Sequence, residues 1–122
     1  TEVGHQAILE FDTFTIRLEI EIASPTSARV TVRLLEAVGD EPVIYNFFPA
    51  VHHAKDLAFD SAKGRLSFDK VAMTVNQPIE LDREFRIVNP YSQLKTTAVK
   101  PVRAWTSLAK LKPFIINVAI EP

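Results

Sequence analysis

From Phe14 to Ile22 the chain alternates without a break. Phe14, Ile16, Leu18, Ile20 and Ile22 take the even positions, and Thr15, Arg17, Glu19 and Glu21 the odd ones. Successive side chains of an extended strand point to opposite faces, so this period of two predicts a strand with one dry face and one wet face. The turn cluster Ser24-Pro25-Thr26-Ser27 follows. The pattern then resumes, with Ala28, Val30, Val32 and Leu34 inward and Arg29, Thr31 and Arg33 outward. The two runs predict an antiparallel hairpin. Its wet face brings Glu19 and Glu21 toward Arg29 and Arg33, in cross-strand pairs worth ~0.2 to 1 kcal/mol each.

The same grammar continues downstream. Gly39-Asp40-Glu41-Pro42 is a turn, and the nearly continuous apolar run Val43 to Phe48 predicts a strand covered on both faces, ended by Pro49. Ala54, Leu57 and Ala58 match one helical turn, too short for an independent helix. Asp60 to Gly64 is turn-like, and Leu66 and Phe68 mark a further strand. Ile79, Leu81, Phe85 and Ile87 mark another, followed by a strand around Ala98 to Trp105. Phe114, Ile116, Val118 and Ile120 form the last, with Ile115 implying partial cover on its other face.

About seven to nine short strands and no helix of ordinary length predict an all-β fold. The expected architecture is a two-sheet antiparallel immunoglobulin-like sandwich spanning residues 1–122 as a single domain. A closed antiparallel barrel is the alternative, disfavoured because the chain has three glycines and small barrels use more at bends.

Composition removes whole classes of chemistry. With no cysteine there is no disulfide scaffold, no cysteine nucleophile and no Cys-ligated zinc or iron–sulfur centre. Glycine-rich phosphate loops and a Gly-x-Ser-x-Gly nucleophile elbow are missing. No apolar run reaches the ~18 to 20 residues of a helical membrane span, so a soluble chain is expected. Thr1 at the start fits a processed or secreted form, and zero cysteine is compatible with several compartments.

The best local seed for a metal is His52-His53-x-x-Asp56. Neutral imidazoles and a carboxylate suit a divalent transition metal such as zinc, copper or nickel. Adjacent histidines on a strand point to opposite sides, so such a site requires a loop, and His5 is the only further histidine. Asp82 and Glu84 share a strand parity, which any solvated strand face also produces.

The net charge of -1 is a cancellation. Residues 1–41 hold eight acids and three bases, while residues 85–112 hold six bases and no acid: Arg86, Lys95, Lys100, Arg103, Lys110 and Lys112. Tyr91 and the lone tryptophan, Trp105, lie within that basic stretch. Trp105 is expected to be a core or rim anchor, or alternatively to mark a binding face beside Arg103. The overall expectation is a non-catalytic interaction module. Arg103 and Trp105, with Lys95, Lys100, Lys110 and Lys112 around them, would recognise a protein or other anionic partner; nucleic acid is disfavoured. Two alternatives are a metal-dependent site at His52, His53 and Asp56, and a self-assembling homo-oligomeric subunit whose sheet edges or charge-segregated faces pair between copies.

Overall fold

The computed structural model describes residues 3–47, 50–51, 57–68, 70–82, 100–101 and 103–120. Among these residues there is no helix. Twelve strands form instead: β1 (Val3–Glu10), β2 (Phe14–Ser24), β3 (Ser27–Ala37), β4 (Val43–Phe47), β5 (Ala50–Val51), β6 (Ala58–Asp60), β7 (Arg65–Phe68), β8 (Val71–Val75), β9 (Glu80–Asp82), β10 (Lys100–Pro101), β11 (Arg103–Leu108) and β12 (Phe114–Ile120). This exceeds the expected number because several ladders are only two or three residues long. Ala58 belongs to a strand, not to a helical turn.

All pairings are antiparallel. The larger sheet has the order β1-β2-β3-β12-β8-β7-β6, and a three-stranded sheet has the order β4-β11-β9. A two-stranded ladder, β5-β10, continues the register of β4 with β11. Neither main sheet closes on itself among the described residues, so the alternative of a closed barrel does not form.

The β2–β3 hairpin is the one the alternation dictates, with Ile20 opposite Val30 and Leu18 opposite Val32. Its register shifts twice, leaving Ala23 and Leu35 without opposite partners. Each bulge inserts one residue and flips the parity beyond it, which is why Ala37, not Glu36, joins Phe14 on the inner side. On the outer side, Arg33 Nε donates to Glu19 Oε1 at 3.1 Å, and an Arg29 guanidinium nitrogen lies 3.5 Å from Glu21 Oε2. Arg17 lies 3.9 Å from the same Glu19 oxygen. The first two are the anticipated cross-strand pairs, and the third lies within β2. Thr31 departs from expectation, since it is buried on this outer side between Glu19 and Ile115 in the register.

The core lies between the sheets. Ile16, Val32, Leu34, Leu66, Val75, Phe114 and Ile116 come from the larger sheet, and Ala104 and Leu108 from the smaller. Phe114 is completely buried, its ring centroid 5.9 Å from those of both Tyr45 and Phe47. Such tilted aromatic contacts add ~0.5 to 1.5 kcal/mol beyond area burial. β4 is not covered on both faces: Val43, Tyr45 and Phe47 pack inward, while Ile44 and Asn46 are exposed. As an edge strand of the smaller sheet, it has only one sheet to pack against.

Two connections that pass from sheet to sheet are stitched together. Asn76, after β8, donates from Nδ2 to the Pro113 carbonyl at 2.8 Å and accepts the Ile115 N–H on Oδ1 at 2.8 Å. Gln77 Nε2 donates to Thr106 Oγ1 and to the Ser107 carbonyl. Thr106, itself buried, passes its hydroxyl proton toward the Pro78 carbonyl at 2.9 Å. These side chains satisfy backbone groups that neither sheet can reach where the chain changes layer.

Candidate functional surface

β11 is the middle strand of the smaller sheet, and its alternation decides which side chains are available. Ala104, Thr106 and Leu108 are buried against the core. Arg103, Trp105 and Ser107 therefore point away from it, with Arg103 and Trp105 half-buried and Ser107 exposed. The core half of the expectation for Trp105 is corrected here: its parity is that of the outer side, because small Ala104 and hydroxyl-bearing Thr106 take the inner positions beside it.

The Arg103 guanidinium carbon lies 5.6 Å from the Trp105 ring centroid, a cation–π arrangement between residues i and i+2 of one face. Arg103 stands opposite Asp82 in the register, and Trp105 stands between Glu80 on one side and Asn46 on the other. The outer surface of the small sheet is thus mixed in charge, with the acids supplied by β9. Arg103 Nε is buried, with no hydrogen-bond partner among the described residues.

Lys110 and Lys112 occupy the tight turn between β11 and β12, closed by a 3.1 Å hydrogen bond from the Lys112 N–H to the Ala109 carbonyl. Both are exposed, and neither forms an ion pair among the described residues. A groove of about 370 Å³ joins this turn to the tryptophan; its lining includes Trp105, Lys112, Gln77, Glu80 and Ser107. Four of the expected partner-binding residues thus lie along β11 and the turn that follows, with Trp105 and Lys112 in the groove. Lys100 lies in β10, one strand upstream. Lys95 falls outside the described residues, as do His52, His53 and Asp56 of the expected metal site. His5 sits in β1 with Ile20 as its register partner. Among the described residues no three His, Asp or Glu side chains cluster to hold a metal ion.

Glu80, Gln77 and Ser107 were not singled out by sequence reasoning. Their one local signal is the Asn76-Gln77-Pro78 break, whose side-chain hydrogen bonds form the wall of the groove. No described helix is long and apolar enough to cross a membrane. Comparison with protein-family models, curated proteins and solved structures gave no match.

Proposed function

We propose that this chain is a non-catalytic binding module of immunoglobulin-like type that recognises a protein partner carrying exposed carboxylates, using the outer face of its smaller sheet. The observation that carries this reading is the pairing of an outward Trp105 with Arg103 beside a groove lined by Lys112. Tryptophan and arginine are the residue types that most often supply the concentrated binding energy of an interface. Lys110 and Lys112, both exposed, raise the rate of encounter with an acidic surface, while Glu80 and Asp82 penalise a uniformly acidic one. The sandwich suits the task because its core is independent of this face: every inward position of β11 is filled by Ala104, Thr106 and Leu108.

The test compares capture from the native source by the wild-type chain, by Trp105→Ala and by Arg103→Glu, with Thr74→Ala, an exposed position on the larger sheet, as a change that should not matter. Partners retained by the wild type and Thr74→Ala but lost by the other two support the reading. Identical sets of captured proteins from all four chains overturn it.

A further inference from the structure

Three turns meet at one end of the sandwich. Phe14 pairs with Ala37, and the Val38 N–H donates to the Thr13 carbonyl at 2.8 Å, so the β1–β2 turn lies against the loop that follows β3. Val43 pairs with Leu108, so the far side of that loop lies beside the β11–β12 turn. Each turn presents a bare apolar side chain: Phe11 is 52% exposed, Val38 76% and Leu111 96%. Isolated apolar side chains on a surface are ordinary, but one at the tip of each of three adjoining turns forms a patch.

Charge divides this end in two. Glu10, Asp12, Asp40 and Glu41 are exposed in and beside the first two turns, with no ion pair among the described residues. Between those turns opens a cleft of about 590 Å³, lined by Phe14, Ala37, Val38, Pro42 and Ile44 with Glu41 at its rim. The third turn is the opposite in sign: Leu111 stands between Lys110 and Lys112. An apolar cleft bordered by acids and an apolar tip bordered by lysines thus lie side by side on the same end.

We propose that two copies of this chain pair end to end about a two-fold axis, Leu111 of each entering the acid-bordered cleft of the other. A two-fold axis satisfies both contacts at once and closes the assembly at two, because tip and cleft share one surface. Lys110 and Lys112 then face Asp40 and Glu41 of the other copy in both halves. Three turns offer a small interface, so the dimer is weak and salt-sensitive. This contact shares Lys110 and Lys112 with the proposed binding face but also needs Leu111, Asp40 and Glu41, which that face does not use, so Asp40→Lys with Glu41→Lys separates the two readings.

Sedimentation equilibrium up to hundreds of micromolar tests it with charge exchange. The wild type is expected to dimerise at low salt and to dissociate as salt is added. Lys110→Glu with Lys112→Glu, and separately Asp40→Lys with Glu41→Lys, are each expected to weaken self-association roughly tenfold or more. Mixing the two double variants is expected to restore a dimer, because each then supplies what the other lacks, and a misfolded chain could not do so. A wild type that stays monomeric, or a dimer indifferent to both double variants and to Leu111→Asp, or the absence of restored pairing on mixing, overturns the proposal.

Discussion

The guanidinium carbon of Arg103 stands 5.6 Å from the centroid of the Trp105 ring, on the side of β11 turned away from the core. Because Trp105 is the only tryptophan, its fluorescence reports that one position. Native protein should be quenched readily by acrylamide, and Trp105→Phe should change stability by no more than about 1 kcal/mol. A quencher-resistant native emission would place the indole in the core and remove the basis for the proposed binding face.

Phe114 presents the opposite case. It is wholly buried between the sheets, against Tyr45 and Phe47. Truncating Phe114→Ala leaves a cavity that the two facing rings can only partly fill, at an expected cost of about 3 to 5 kcal/mol in urea unfolding. A loss below 1 kcal/mol would mean that the two sheets do not meet at this residue.

Two glycines have positive φ but unequal surroundings. Gly64, at φ 59°, ends the turn between β6 and β7, and a Cβ there would stand 2.7 Å from the Val75 carbonyl oxygen. The same Gly64 carbonyl accepts the Val75 N–H at 2.8 Å, so the backbone cannot retreat without losing that bond. Gly39, at φ 86°, has open space where a Cβ would go. Both changes to alanine carry the backbone strain of about 1 kcal/mol, and only Gly64→Ala adds a clash. Thermal unfolding should rank Gly64→Ala clearly below Gly39→Ala; equal melting temperatures would contradict the turn geometry.

Thr106 ties the passage between sheets to the strand beneath Trp105. Replacing it by valine removes the donor to Pro78 and the acceptor for Gln77 while keeping the volume nearly constant. The expected loss is ~1 to 3 kcal/mol, since polar groups at this part-buried corner lose their partners. Unchanged stability on chemical denaturation would show that water replaces these bonds without cost.

Burial raises the Tyr45 phenol pKa above its usual 10.0. The folded state therefore holds the phenolic proton to higher pH than the unfolded chain does. The resulting stability is complete below the unfolded value and is lost as pH rises from about 10 through the folded value. Tyr45→Phe should flatten this alkaline limb in denaturation curves recorded across that interval. An unchanged slope would assign the alkaline loss to other groups.

The hairpin from Phe14 to Leu34 was legible because a half-buried strand must alternate, and its salt bridges followed from which residues shared the wet face. β12 was legible for the same reason. Val71 to Val75 went unassigned as a strand, since Ala72 and the polar Thr74 leave little contrast between its faces. Bulk and hydrophobicity favour a core position for Trp105, whereas the parity of the strand holding it leaves it half-buried on the outer side. Of the expected site residues, Trp105 and Lys112 share the groove and Arg103 lies against Trp105, although nothing local announced Gln77 and Glu80 beside them.

The alternation by itself determined that this chain builds strands, and which faces of the longest ones are dry. The tertiary structure alone decided which strands meet. β12 lies between β3 and β8, with Asn117 opposite Arg29 although 88 residues separate them. A period of two specifies a side chain's face but carries no address for its partner strand. That choice belongs to the joint packing of two sheets around Phe114, and it also turns Trp105 outward and gathers three turns at one end.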